Sequence, residues 1–165
     1  MLKYIYTAAV LLFTLAVAAQ EPRHYNFTHY TVESGLISYQ VNTCAQDESG
    51  YIWIGTNDGL QRYDGIRYKD FRHRNNDPSS IPSKGIWQIL FDRNRNMWIM
   101  TTDGKVGIFD TKTFRFQPVA VKVKNESWLQ SPQIYKRLIA DEYGNIFLLI
   151  PGKELATYNK EKDEF

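Results

Sequence analysis

One segment recurs three times along this chain, and that recurrence limits the fold more than any other property of the sequence. Its clearest copy is Asp47-Glu-Ser-Gly-Tyr-Ile-Trp-Ile-Gly-Thr-Asn-Asp-Gly-Leu-Gln-Arg-Tyr-Asp64. Asp47 to Gly50 reads as a turn, because an Asp side chain bonds its own backbone two residues on and Gly accepts positive φ. Tyr51 to Thr56 is rich in the aromatic and branched side chains of strands. Asn57-Asp58-Gly59 is a hairpin turn signal, and Leu60 to Tyr63 opens the return strand. Asp92-Arg-Asn-Arg-Asn-Met-Trp98, with Asp103-Gly104 and Val106 to Asp110, repeats the pattern. A third copy is Asp141-Glu-Tyr-Gly-Asn-Ile-Phe147, with Gly152 and Leu155 to Asn159. In each copy a large aromatic stands six residues after the Asp: Trp53, Trp98 and Phe147, separated by 45 and 49 residues. Phe71, Phe116 and Phe165 follow at the same intervals and read as closing aromatics.

A further strand precedes each Asp turn, at Val41 to Ala45, Ile86 to Phe91 and Tyr135 to Ala140. Four strands per ~40–50 residues is the period of a propeller blade. The expected fold is therefore all-β, an incomplete β-propeller of about three four-stranded blades. The blades fall at about 41–71, 86–116 and 134–165, after an N-terminal strand and lead-in over 20–40.

The pattern Asp-x-x-Gly-x-x-Trp-Ile-Gly-Thr-x-x-Gly-Leu-x-x-Tyr-Asp of the first copy resembles the two-component regulator propeller repeat. Asp77-Pro-Ser-Ser-Ile-Pro-Ser83 is similar to the connection between such repeats, and Phe27-Thr-His-Tyr30 with Glu33-Ser-Gly-Leu36 resembles the usual start of such a sensor. The resemblance covers roughly residues 25–165; the third copy has lost the Trp and the Gly-Thr pair. It implies the periplasmic sensor region of a Bacteroides-type hybrid two-component system. Such a propeller detects a carbohydrate, often an oligosaccharide from a degraded polysaccharide, and passes the event across the membrane. The implied partners are an oligosaccharide or other small ligand, the remaining blades and the kinase of a longer chain, and a second copy in a full-length homodimer. This chain has neither a second hydrophobic segment nor a kinase nucleotide-binding motif, so it is expected to be an N-terminal fragment that does not transmit alone.

The beginning of the chain agrees with export. Lys3 precedes an uncharged apolar run from Tyr4 to Ala16, and Val17-Ala-Ala19 supplies small residues. That is the order of a secretory signal peptide over 1–19, cleaved near Ala19. The run is shorter than the roughly 20 apolar residues of a membrane span, so an uncleaved anchor is the lesser alternative. No Cys stands at the cleavage site, so lipoprotein anchoring is not indicated. A periplasmic location follows.

Composition narrows the function classes. A net charge of +2 lacks the basic footprint of a nucleic-acid binder. The single Cys44 excludes an internal disulfide; its counterparts in the other copies are Ile89 and Leu138, so a buried thiol acting as a small hydrophobe is expected. Asp92-x-Asn94-x-Asn96 opens like a calcium loop, but Met97 follows where a Gly is required and Asp103 stands where a Glu is required, so a turn is favoured. His24, His29 and His73 share no ligand-like spacing, and no metal or cofactor is expected. There is no Gly-x-Ser-x-Gly elbow and no phosphate-cradling loop, so no catalytic residue is assigned.

Asp47, Asp92 and Asp141, like Asp64, Asp110 and Asn159, recur in every copy and so read as parts of the blade rather than of a unique site. Trp53, Trp98 and Phe147 read as packing between blades for the same reason. Recognition is better sought where the repeat breaks. The candidates are the basic cluster Arg72, His73 and Arg74 in the first connection, with Trp87 and Trp128. Arg pairs bidentately with carboxylate or sulfate, and an exposed Trp stacks on a sugar; a solvated basic loop is the plain alternative. Asn26-Phe-Thr28 and Asn125-Glu-Ser127 match a glycosylation pattern of high chance frequency. The alternative function is a propeller enzyme, a quinone-cofactor dehydrogenase or a polysaccharide lyase. Ala45-x-Asp-x-Ser-Gly-x-x-Trp53 shares part of the Trp-docking repeat of quinoproteins, with a shorter Asp-to-Trp spacing.

Overall fold

In the computed structural model the described residues are 1, 3–4, 25–125, 127–131 and 135–165. The expected signal peptide over 1–19 lies almost wholly outside them. Strands β1 (Val41–Gln46), β2 (Ile52–Thr56), β3 (Gly59–Tyr63) and β4 (Tyr68–Phe71) form an antiparallel sheet in chain order. β5 (Ile86–Phe91), β6 (Met97–Thr101), β7 (Val106–Asp110) and β8 (Arg115–Pro118) form a second. β9 (Arg137–Ala140), β10 (Ile146–Ile150) and β11 (Glu154–Thr157) form a third, in which Glu164 bridges back to Asn159 where a fourth strand would lie. The inner strands β1, β5 and β9 are neighbours in series, so the sheets stand side by side as propeller blades do. Outside them are a 3-10 turn at Val32–Ser34 and a one-turn helix α1 (Ser127–Gln130).

Alternation along the strands gives each sheet two faces, and two dry layers fill the spaces between sheets. The first layer joins Trp53, Leu60 and the partly buried Phe71 of one sheet to Ile86, Ile89, Met97, Ile99, Phe109 and Phe116 of the next. The second joins Trp98, Met100 and Val106 to Leu138, Ile146, Leu148, Ile150 and Phe165. Trp53 and Trp98 thus occupy equivalent places, each fully buried against the following blade. Phe147, their counterpart, is only half-buried, because no described sheet follows it.

The turns explain the six-residue spacing from Asp to Trp. Asp47 accepts the backbone N–H of Tyr51 and, at 2.7 Å, the indole N–H of Trp53. Asp92 accepts from Asn96 and, at 2.9 Å, from the indole of Trp98. Where Phe147 has no N–H to give, Asp141 bonds the backbone and side-chain amide of Asn145. The fourth turn residue has positive φ in all three copies: 86° at Gly50, 69° at Arg95 and 89° at Gly144. A side chain there is strained, yet Arg95 takes the same path and pairs with Glu48 in the preceding blade's turn. Asp64, Asp110 and Asn159 likewise cap their own turns, each accepting the N–H groups two and three residues on.

Three sequence expectations change. Cys44 is exposed, although Ile89 and Leu138 at the same register are buried. It lies on the face of the first sheet turned away from the second, and no described sheet covers that face. The closing aromatics are not equivalent: Phe71 pairs with Leu60, as Val119 does with Val106, whereas Phe116 pairs with Phe109, as Tyr68 does with Tyr63. The outer turn of the second sheet is longer, so a constant offset selects the wrong partner. The N-terminal strand expected within 20–40, from Phe27 to Val32, is not formed among the described residues. The lead-in instead docks on the uncovered face of the first sheet through fully buried Gln61, which accepts from the Ile37 N–H at 2.8 Å and donates to the Gly35 carbonyl and Asp70.

Candidate functional site

The inner strands carry a device that the other strands lack. β1 and β5 each bulge at one residue, Asn42 and Trp87, breaking the register between Val41 and Thr43 and between Ile86 and Gln88. A bulge re-aims its side chain, and both here reach along the ring to the next inner strand. The Asn42 amide donates to the Ile86 carbonyl at 2.9 Å, and the Trp87 indole donates to the Lys136 carbonyl at 3.3 Å. The residue after each bulge completes the joint. The Thr43 hydroxyl accepts the Ile89 N–H, and Gln88 both donates to and accepts from the backbone of Leu138, at 2.7 and 2.8 Å.

The same end of the sheets carries the hairpin at Asn57-Asp58 and the connections between blades. There a groove of about 270 Å³ opens, lined by Gln40, Asn42, Asn57, Trp87, Met100, Thr101, Thr102, Ser131, Tyr135 and Lys136. Its rim is held by a relay of amides: Asn42 donates to Asn57 at 2.8 Å, and Asn57 donates to Gln40 at 2.5 Å. Trp87 and Tyr135 meet at 5.9 Å between ring centroids with a 33° tilt, and Tyr135 is 65% exposed. Gly59 closes the hairpin at φ 144°, where an added Cβ would strike the Phe71 carbonyl at 2.6 Å, so the loop beside the groove tolerates no side chain there.

Lys136 is the charged member of the groove, and it is nearly buried. Its ammonium donates to the carbonyls of Leu129 and Ser131. Burial holds its pKa below the ordinary lysine range, and the nearby Asp103 carboxylate opposes that shift. Thr101 and the Lys105 ammonium in turn hold Asp103, at 2.5 and 3.3 Å. Two of its N–H donors are therefore taken inside the protein, and what the groove otherwise offers a ligand is amides, hydroxyls and two ring faces. Such a set suits a polyhydroxylated neutral molecule: amides bond pairs of hydroxyls, and rings stack on apolar C–H faces.

The structure scatters the candidates read from the sequence. Trp87 lines the groove. Trp128, on α1, is half-buried against the layer between the second and third sheets, with Lys153 near its ring at 5.8 Å. Arg72, His73 and Arg74 leave the outer strand β4 and lie outside the groove lining. Arg72 pairs with Asp70 at 3.9 Å, His73 Nδ1 bonds the Ile81 carbonyl at 2.8 Å, and the Arg74 N–H bonds Ser80. Asn42, Asn57, Tyr135 and Lys136 were not singled out from the sequence. Register supplies the missing signal, since Asn42 and Trp87 hold one position of the repeat on β1 and β5, and Lys136 stands at the same position just before β9.

A second and larger cleft, about 780 Å³, lies at the opposite end among the Asp turns of the first two sheets. Its charged side chains are largely cross-linked: Glu48 with Arg95, and Arg93 with the Glu142 carbonyl. Among the described residues no group of three or more His, Cys, Asp or Glu is placed to hold a metal ion, and no helix is long and apolar enough to cross a membrane.

The comparison with known proteins agrees with the repeat. Residues 35–58 match the family model of the two component regulator propeller. Over 75 residues, 44% of this chain, the sequence is 33% identical to a histidine kinase of Formosa agariphila. Two extracellular domains assigned to hybrid two component systems of B. thetaiotaomicron share the fold. One has a TM-score of 0.61 and 18% identity over 81% of this chain, the other 0.58 and 23% over 74%. The chain spans only 6% of the kinase and 20% and 17% of the two solved domains. The first copy of the repeat thus matches the two component regulator propeller model, in an all-β chain of three blades whose fold is similar to that of those extracellular domains.

Proposed function

We propose that this chain is part of the extracytoplasmic sensor propeller of a two-component signalling protein, and that the groove between Asn57, Trp87 and Tyr135 takes an oligosaccharide. The observation that carries the ligand class is the chemistry of the groove: two aromatic rings beside a relay of amides, with two donors of its single ammonium taken internally. The matched repeat and the kinase relative support the signalling role. The rest of the longer chain, its blades and its kinase, would carry the signal onward, and a periplasmic location with a cleaved leader fits that role.

Tryptophan fluorescence titrated with a panel of neutral oligosaccharides tests the ligand reading, because Trp87 stands in the groove. Binding is expected for some member of the panel. Tyr135→Ala should weaken it at least tenfold, about 1.4 kcal/mol, for loss of a stacking face. Chromatography after long incubation should recover the saccharide at its original length. No response across the panel, or a response untouched by Tyr135→Ala, contradicts the groove; shortened products would favour a propeller lyase.

A further inference from the structure

The interface between the first and second sheets departs from the repeat at one place. On the face of the first sheet turned to the second, Arg62 of β3 stands directly opposite Lys69 of β4. The corresponding pair in the second sheet is Ile108 and Gln117, and there Ile108 packs into the apolar layer. Like charges directly opposite on neighbouring strands repel one another. Neither cation is in an ion pair among the described residues.

Both lean on rings instead. The Arg62 guanidinium carbon lies 4.1 Å from the ring centre of Tyr51 and 5.3 Å from that of Phe114. The Lys69 ammonium lies 3.8 Å from the same Phe114 ring. Phe114 belongs to the outer turn of the second sheet and sits at φ 59°. That conformation is unfavourable for a bulky side chain, so the neighbouring blade holds a strained residue against both cations. A ring face attracts a cation but accepts few of its N–H bonds. Arg62 is half-buried and Lys69 exposed, which leaves donors of both directed to solvent at the outer rim.

We propose that Arg62 and Lys69 form a binding site for an oxyanion group, a sulfate or a carboxylate, at the outer rim between the first two sheets. The anion removes the repulsion between the two cations. It takes paired N–H bonds from the guanidinium fork and one from the ammonium. The rings of Tyr51 and Phe114 fix the cations beforehand, which limits the ordering cost of binding. This site is separate from the inner groove and does not depend on what that groove takes. The Arg72 to Arg74 segment offers less, since Arg72 already faces Asp70.

Equilibrium dialysis of radiolabelled sulfate against the full chain, at constant ionic strength in chloride, reads the binding directly. The expected result is about one sulfate per chain, with affinity at least tenfold lower in Arg62→Gln and in Lys69→Gln. The exposed Lys84 serves as control, and Lys84→Gln should bind as the parent does. Lys69 is on the surface, so its variant keeps the fold, which an unchanged circular dichroism spectrum verifies. Competition with glucose 6-sulfate and with glucose then identifies the source of the anion. Tighter displacement by the sulfated sugar makes it part of a saccharide, and displacement equal to that by free sulfate makes it a free ion; both outcomes support the site. Absence of saturable sulfate binding, or undiminished binding in Lys69→Gln, overturns the proposal.

Discussion

The bond between an Asp carboxylate and an indole N–H joins the turn of a blade to its packing layer. Trp98 is buried against Tyr158 and Phe165 at ring separations of 4.7 and 5.9 Å, and its N–H ends on Asp92. Trp98→Phe keeps most of the apolar volume and removes that bond, so it should cost about 1.5–3 kcal/mol, the range for a hydrogen bond to a charged group. Trp98→Ala should cost about 3–5 kcal/mol, as a large-to-small change in a packed core. Urea denaturation measures both, and a cost near zero for Trp98→Phe would show that the indole N–H contributes nothing. The spacing of Asp and Trp was plain in the sequence, whereas its cause was not, because no propensity rule joins a turn acid to a ring six residues on. Cys44 shows the complementary limit. Its register with Ile89 and Leu138 was legible, but whether a neighbouring sheet covers that register depends on the surroundings of the whole blade.

Hairpins and blades were the most legible elements, since each turn carries its own Asp, Asn or Gly and each strand its own alternation. Joints between elements were the least legible. The bulges at Asn42 and Trp87 leave no compositional trace, so the groove they help to line could not be assembled from the sequence. The closing turn of the third blade gives a test at this scale. Burial pushes the Tyr158 hydroxyl up to about 12, and its 2.7 Å hydrogen bond to Asp163 adds to the shift. The folded pKa is raised above the ordinary value near 10, so the folded state retains this proton better than the unfolded state. Its contribution is complete below about pH 10 and is lost as the pH rises towards 12. Ultraviolet titration of tyrosinate should show that the last phenol to titrate moves earlier in Asp163→Asn; an unchanged late phenol would sink the assignment.

On the scale of the molecule, the third blade turns an apolar face outward: Ile139 is 41% exposed and Leu155 56% exposed, beside the half-buried Phe147 and Leu149. On the first blade the lead-in covers part of the opposite outer face and leaves Cys44 exposed. Exposed apolar patches drive association, so the purified chain should scatter light as a species heavier than 19.3 kDa. Ile139→Lys with Leu155→Lys should return it towards that mass, and a parent chain that is already monomeric would contradict the prediction. The joints of the inner strands have one more consequence. The first two blades give side chains forward, as Asn42 and Gln88 do, and the blade after each receives them on its own backbone. Because the receiving groups are main-chain carbonyls and amides, which every sequence possesses, a duplicated blade fits its new neighbours without prior co-adaptation. Genes encoding such units can grow by copying, and each copy is then free to drift towards its own chemistry, as Arg62 has where its counterpart is Ile108.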